Sequence, residues 1–284
     1  MRRYLQVFFI LSWFLFLPLS CSDSGHNKDH PAGSVLPRKM MTEKAAHDSL
    51  AMELEALKND HCFKEASLGY IIEDFSKGMP AVLFEFHSKD PLIPASTQKI
   101  LTTGAALEIF GEAVSREVTL TNLESINWRA NRLLQKIGQK NLGRYDFAHG
   151  SVAVMEFWKK KGINMTGLYI CDGSGKSREN RVSPKQLADV LFFMTTSVNF
   201  PVFYNSLPLS GISGTLHKLT RGTPAEGRIR AKTGSIAGVR SYTGYVRTFS
   251  GKKLIFTILI NNYNCRTKVL KKKIEGLMIR MAEL

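Results

Sequence analysis

The order of helix-like and strand-like segments is the feature of this chain that most constrains its fold. An amphipathic helix near residues 46–57 precedes two strand-like runs, ASLGYIIEDF and AVLFEFH. A mainly helical middle follows. The chain then has three strand-like runs, near residues 228–235, 240–248 and 253–261, and ends in a last helix. This α+β order predicts an antiparallel sheet with one face covered by the terminal helices.

The helical middle gives several local predictions. TQKILTTGAALEIFG predicts a buried helix that stops at Gly111, and Ser183-Pro184 predicts the start of another helix, with serine as its cap. We expect a further helix near residues 151–161. The apolar segment GLYIC, which ends at Cys171, is expected to be a strand.

The N-terminus has the layout of an export signal. Two arginines precede an apolar run that ends in small residues, and Cys21 stands where a lipid-modified cysteine would. An uncleaved membrane anchor is the alternative, because the run approaches the length of a bilayer span. We expect an export signal at 1–21, of lipoprotein type if Cys21 is modified, a polar tether at 22–41 and one folded domain at 42–284. The protein would then work in the periplasm or cell envelope, with membrane contact only through this N-terminus.

Composition and failed motifs argue against several function classes. The formal net charge of +15 suits adhesion to a polyanionic envelope surface. Nucleic acid is not expected as a partner, because no nucleic-acid motif accompanies the export signal. GSGKS is not a phosphate loop, since Ile170 replaces its first glycine, and no Gly-x-Ser-x-Gly elbow occurs. His26 and His30 lack an evident third ligand, so we predict neither metal nor cofactor.

A serine and a lysine in PASTQKI form the first candidate catalytic pair. Ser96 and Lys99 are three residues apart where a helix begins, so their side chains share one face. A serine hydroxyl becomes a nucleophile when a base takes its proton, and a partly desolvated lysine is such a base. The spacing alone is weak evidence, because Ser250 and Lys253 repeat it in a predicted turn.

A second group of candidates lies in RIRAKTGSIAGVRSYTGYV. Lys232-Thr233-Gly234 interrupts a strand-like run, and glycine inside a strand marks a place where something approaches the backbone, such as a substrate. Between this triplet and Ser96 lie two Ser-x-Asn candidates, Ser125-Ile126-Asn127 and Ser197-Val198-Asn199. The order of the surrounding motifs favours the first, and the second follows an apolar run as a plain helix end.

Four segments together carry a family resemblance: IPASTQKILTTGAALEIFG, DGSGKSRENRVSP, LPLSGISGTL and IRAKTGSIAGVRSYTGYV. They resemble the D-alanyl-D-alanine carboxypeptidase/endopeptidase family, the class C low-molecular-mass penicillin-binding proteins, from about residue 66 to 262. The resemblance implies a β-lactamase/transpeptidase-like fold with a five-stranded antiparallel sheet, terminal helices and a helical lobe. It also implies a serine hydrolase that cleaves D-Ala-D-Ala termini or cross-links of peptidoglycan stems and that is acylated by β-lactams.

The resemblance assigns catalytic roles to specific residues. Ser96 is implied as the nucleophile and Lys99 as its base, while Ser125 would relay a proton to the leaving group. The backbone N–H groups of Ser96 and Ser235 would form an oxyanion hole.

The remaining motif residues are implied to bind the substrate. Asn127 would hold the substrate amide, and Lys232 and Thr233 would bind the terminal carboxylate. Gly234 would let the peptide lie close to the strand, beside Ser235.

Two departures from the family pattern leave other functions open. Ser96 and Ser125 are only 29 positions apart, where members of the family carry a long insertion, and SINWRAN lacks both acids of the family's Ser-Asp-Asn and Ala-Glu pattern. A catalytically silent cell-wall-binding protein of the same fold is therefore one alternative. A β-lactamase is the other and is disfavoured, because no Glu-x-x-x-Asn segment between Asn127 and Lys232 supplies a second base.

The cysteines predict one disulfide. An exported chain meets an oxidising compartment, and with Cys21 modified or removed three cysteines remain. In the resembled fold the first and last strands are antiparallel neighbours, which brings Cys62 beside Cys265. Cys171 is expected to be a buried free thiol. Three reduced thiols are the alternative.

Overall fold

The computed structural model describes residues 42–284. The predicted export signal with Cys21 and the predicted tether at 22–41 lie outside the described residues and stay predictions. Among the helices of residues 42–284, none is both long and apolar enough to cross a membrane.

The described elements follow the predicted order. The helices are α1 Glu43–Lys58, α2 Lys99–Phe110, α3 Ser115–Leu123, α4 Asn127–Leu142, α5 Phe147–Lys160, α6 Pro184–Thr195, α7 Phe200–Ser206 and α8 Thr267–Glu283. The strands are β1 Ser67–Asp74, β2 Ala81–Phe86, β3 Ile229–Ile236, β4 Val239–Arg247 and β5 Lys253–Asn261.

The five strands of this region form one antiparallel sheet in the order β2-β1-β5-β4-β3, as predicted. Alternate side chains of β5 enter two different cores. Ile258 and Ile260 pack with α1 and α8, while Ile255 and Leu259 pack with the helical lobe. A strand buried on both faces reads as a continuous apolar run, and KLIFTILIN is such a run.

The buried helix α2 forms the centre of the helical lobe. A Cβ added at Gly104 would lie 3.0 Å from the Trp158 ring, so the glycine permits close packing of α5 on α2. The indole of Trp158 also donates a hydrogen bond to the Leu101 carbonyl (3.1 Å). The helix ends at Gly111, whose φ of 60° suits a residue without a side chain, as predicted. This packing fixes α5 against α2.

The predicted disulfide is present. Cys62 and Cys265 are bonded, with Cα atoms 5.1 Å apart, where the start of β1 meets the end of β5. Asp60, His61 and Cys62 bring three ligand-type atoms within 4.8 Å of one another, but the disulfide occupies the sulfur. Cys171 is a free thiol as predicted, yet it is only partly buried, because its Sγ turns to the Glu179 carboxylate (3.3 Å).

The predicted strand GLYIC is wrong. Leu168 and Ile170 are buried and Tyr169 between them is exposed, so burial alternates along the segment as it would in a strand. However, Tyr169 has only a single bridge, to Arg181, and no neighbouring strand continues the pairing among the described residues. The predicted helix near 151–161 exists as α5 and begins earlier, since the Asp146 side chain caps it by accepting from the His149 N–H.

Candidate active site

The candidate nucleophile lies on a tight turn at the start of α2. Ser96 belongs to a 3-10 turn, Ala95–Gln98, that runs directly into the helix. Ala95 adopts a φ of +47°, which is unfavourable for a residue with a side chain, so the surroundings must hold the turn. The Pro94 carbonyl accepts hydrogen bonds from Thr97 Oγ1 (2.7 Å) and from Ser241 Oγ of β4 (2.5 Å). The turn is thereby fixed to the sheet.

Lys99 is buried and holds three groups of the site together. Its Nζ donates to Ser96 Oγ (2.9 Å), Asn127 Oδ1 (2.8 Å) and the Ser174 carbonyl (2.8 Å). Burial lowers the pKa of Lys99 to about 7, although the negative charge of Asp172 opposes this shift. A lysine with such a pKa is partly neutral at neutral pH and can accept a proton from the serine that it touches.

The second motif is built around Ser125, as the order of motifs predicted. Ser125 precedes α4 with a φ of +59°, and Lys232 Nζ donates to its Oγ (2.9 Å) and to the Thr233 carbonyl (2.9 Å). Burial lowers the pKa of Lys232, and repulsion by Lys99 lowers it further. The structure thus brings Ser125 and Asn127 to the two lysines.

The other Ser-x-Asn candidate lies elsewhere. Ser197 follows α6, and its hydroxyl donates to the Glu108 carboxylate. Asn199 Nδ2 donates to the same carboxylate (2.9 Å). This pair lies between α6 and α7, is hydrogen-bonded to Glu108 of α2 and contacts neither lysine.

Strand β3 forms the edge of the sheet beside the nucleophile turn. A Cβ added at Gly234 would lie 2.1 Å from Ser241 Oγ, 2.7 Å from the Pro94 carbonyl oxygen and 2.9 Å from the Ser96 nitrogen. The missing side chain therefore lets the strand pack against the turn, and the expected approach of a peptide to this glycine stays a prediction. Thr233 Oγ1 donates to Thr215 Oγ1 (2.9 Å), and Ser235 is exposed.

Residues 172–177 form a turn whose role the sequence did not reveal. DGSGKS was noted only as part of the resemblance and as a segment that fails the phosphate-loop pattern. In the structure the Ser174 carbonyl reaches Lys99, and Asp172 accepts hydrogen bonds from the turn that carries it. A Cβ added at Gly175 would lie 1.8 Å from the Ala95 carbonyl oxygen, so this turn packs directly on the nucleophile turn. Asp, Gly and Ser in succession signal a turn, but not its partner.

A known protein family shares the motifs that form this site. A model of the D-Ala-D-Ala carboxypeptidase 3 (S13) family matches residues 50–123 and 118–284, which includes every motif described above. The chain belongs to this family. The two matched segments meet between Ser96 and Ser125, where the expected insertion is missing and where α2 and α3 instead follow each other closely.

Curated relatives carry names from the same enzyme class. A D-alanyl-D-alanine carboxypeptidase of Actinomadura sp. (strain R39) is 35% identical over 166 residues, 56% of this chain and 30% of the relative. Penicillin-sensitive carboxypeptidase A of Dictyostelium discoideum is 33% identical over 165 residues, 55% of this chain and 32% of the relative. The matches thus span about a third of each relative's length.

Solved structures share the fold. Penicillin binding protein 4 (dacB) from Haemophilus influenzae superposes with a TM-score of 0.72 at 13% identity, covering 86% of this chain and 100% of that one. TLA-1 extended spectrum β-lactamase superposes with a TM-score of 0.65 at 16% identity, covering 84% and 98%. The predicted β-lactamase/transpeptidase-like fold is therefore confirmed.

Proposed function

We propose that this protein is a peptidoglycan D-alanyl-D-alanine carboxypeptidase/endopeptidase that acts through an acyl-Ser96 intermediate and is acylated by β-lactams. The observation that carries the proposal is the hydrogen bond between Lys99 Nζ and Ser96 Oγ, 2.9 Å long, made by a buried lysine with a pKa of about 7. Family membership and the names of the curated relatives support the substrate class.

Acylation begins with proton transfer to Lys99. The neutral amine takes the hydroxyl proton of Ser96 while the Oγ attacks the carbonyl carbon of the penultimate D-alanine. The backbone N–H groups of Ser96 and Ser235 stabilise the oxyanion. When the C–N bond breaks, Ser125 gives its proton to the leaving amine and regains one from Lys232, whose protonated form is favoured by the substrate carboxylate beside it.

Deacylation reverses these proton movements. Water attacks the ester carbonyl and loses a proton through Ser125 to Lys232, and the released Ser96 oxygen takes back the proton held by Lys99. Both lysines return to their starting states, so one turnover consumes one water and moves no net proton onto the protein.

The substrate carboxylate would lie against β3. Lys232 contributes positive charge, and the hydroxyls of Thr233 and Ser235 contribute donors on the exposed side of the strand. Asn127 is exposed at the start of α4 and would hold the substrate amide, while its Oδ1 contacts Lys99.

The cellular setting proposed here follows the N-terminal sequence. The protein would be exported to the periplasm or cell envelope and tethered by residues 22–41, through lipid at Cys21 or an uncleaved signal. Its net charge of +15 would favour contact with the anionic cell wall.

The alternatives predict different chemistry. A silent cell-wall-binding protein needs no lysine buried against its serine, and burying an ammonium is costly unless it is paired and hydrogen-bonded. A β-lactamase needs a carboxylate free to activate water, whereas the Asp172 carboxylate near Lys99 is occupied by donors of its own turn.

Intact-mass spectrometry with a penicillin tests the proposal. We expect a single covalent adduct that maps to the Ser96 peptide, an unmodified Ser96→Ala variant, and normal labelling of Ser197→Ala as the matched control. An adduct that persists in Ser96→Ala, or no adduct with any β-lactam, would favour the silent binder.

A further inference from the structure

The third hydrogen-bond partner of Lys99 comes from a turn outside the Ser-x-x-Lys, Ser-x-Asn and Lys-Thr-Gly motifs. The Ser174 carbonyl oxygen lies 2.8 Å from Lys99 Nζ and is buried with it. A backbone carbonyl accepts hydrogen bonds and donates none, so it orients the lysine toward Ser96 in either protonation state. The position of this carbonyl therefore matters for proton transfer.

One carboxylate holds the turn that carries this carbonyl. Asp172 is 7% exposed, and its Oδ1 accepts from the backbone N–H groups of Ser174 (2.8 Å) and Gly175 (2.6 Å) and from Ser174 Oγ (2.9 Å). Its Oδ2 accepts from the Ser177 N–H (2.7 Å). Hydrogen bonds from both sides of the carbonyl thus fix its direction.

The charge of Asp172 stays in place because of these donors. Burial by itself raises the pKa of a carboxyl group, but the hydrogen bonds from Ser177 and Ser174 outweigh burial and hold the pKa of Asp172 below its usual range. The charged groups facing Lys99 are then Asp172 from the turn and Lys232 from β3, while Ser96 and Asn127 are neutral. The negative charge of Asp172 favours the protonated form of Lys99 and so opposes the effect of burial.

We propose that Asp172 is a positioning residue for the acyl-transfer reaction, which aims the Ser174 carbonyl at Lys99 and supplies a negative charge that favours the protonated form of Lys99. The inference rests on the proposed function and adds to it a residue outside the serine, lysine and asparagine motifs. Asp172 contacts neither Ser96 nor substrate, so its effect passes through Lys99.

The test compares Asp172→Asn with Ser174→Ala. Asparagine keeps the shape but removes the charge and places an N–H₂ group among the donors, whereas Ser174→Ala removes one hydroxyl donor and keeps the charge. We measure the titration of Lys99 by carbon-13 NMR on lysine labelled at Cε, assigned with Lys99→Gln, and the pH profile of penicillin acylation.

The charge determines the direction of the expected shift. A carboxylate near an ammonium favours its protonated form, so removing it lowers the pKa of Lys99 and moves the rising limb of the acylation profile to lower pH. The plateau rate of Asp172→Asn should also fall by on the order of 10- to 100-fold, because Lys99 loses its alignment. Ser174→Ala keeps the carboxylate, so the pKa of Lys99 and the midpoint of the rising limb should both stay at their parent values.

The outcomes separate this inference from the proposed function. If the parent is acylated and Asp172→Asn moves neither the Lys99 titration nor the limb, the inference is wrong and the proposed function stands. If the parent is never acylated, the proposed function fails, and the NMR titration still decides the role of Asp172. Should Asp172→Asn not fold, Asp172→Glu decides: an unmoved limb with a lowered plateau supports the proposal, and a parent-like plateau contradicts it.

Discussion

Replacing Gly234 by alanine tests whether close packing of β3 on the nucleophile turn is required. The added Cβ would meet Ser241 Oγ at 2.1 Å and the Pro94 carbonyl oxygen at 2.7 Å, and the second of these atoms is backbone that cannot rotate away. Overpacking of this kind costs about 1–3 kcal/mol. For a domain of this size that corresponds to a Tm lowered by roughly 2–12 °C.

The effect on acylation should be larger than the effect on stability. The same Cβ lies 2.9 Å from the Ser96 nitrogen, so relieving the clash displaces the nucleophile and its N–H. A displacement of about 1 Å costs on the order of 100-fold in rate. We would measure Tm by calorimetry and the acylation rate with a fluorescent penicillin.

Gly276→Ala in α8 is the matched control. Its Cβ meets only Glu53 Oε1, at 3.4 Å, so this variant should keep the parent acylation rate and gain up to about 1 kcal/mol of helix propensity. Parent-like acylation by a folded Gly234→Ala variant would refute the reasoning that the strand must contact the turn.

Three further predictions follow from the site and the fold. The acylation rate should rise with pH through about 7, because Lys99 must lose its proton to act as a base; a rate independent of pH between 5 and 9 would contradict this role. Ser125→Ala should be acylated at least about tenfold more slowly than the parent, whereas Ser197→Ala should match it in stopped-flow labelling, and the reverse ranking would overturn the motif assignment. Replacing Cys62 and Cys265 together by serine should lower the free energy of unfolding by up to about 5 kcal/mol in the chain-entropy model, since the bond closes a separation of 203 residues; an unchanged denaturation midpoint would contradict it.

Local patterns in the sequence predicted the sheet and its covering helices well. Strand β5 is an unbroken apolar run, and α8 places Leu270, Ile274 and Leu277 on one stripe, so each element carries its own signal. The Cys62–Cys265 bond was predictable only through the resemblance, because a pairing depends on which strands are neighbours.

Contacts between distant segments limited the prediction of the site. Ser96 and Lys99 are close in sequence, and the helical spacing predicted their contact. Ser174 reaches Lys99 only after the 172–177 turn packs on Ala95, a contact across 75 positions that no local pattern encodes. GLYIC failed for the related reason that a strand needs a neighbour, which alternation of buried side chains does not supply.

The packing around Gly234 is a second case in which the sequence did not reveal a contact between distant segments. A glycine inside a strand indicates close approach of another group, and the sequence suggested a peptide. The structure shows that the turn of Ser96 is one such group, and the approach of a peptide stays a prediction. One glycine was enough to predict that another group approaches the strand. Identifying that group required knowledge of how β3 packs against the turn that precedes α2.

Release of free D-alanine tests the central claim most directly. Purified protein would be given a stem peptide ending in D-Ala-D-Ala, the same peptide ending in D-Ala-L-Ala, and a cross-linked stem dimer, with products followed by mass spectrometry. We predict cleavage of the D-Ala-D-Ala peptide or the dimer, no cleavage of the D-Ala-L-Ala peptide, and complete loss of cleavage in Ser96→Ala and after prior acylation by a penicillin. Binding of these peptides without any cleavage by the parent protein would contradict the account and identify a silent cell-wall-binding protein.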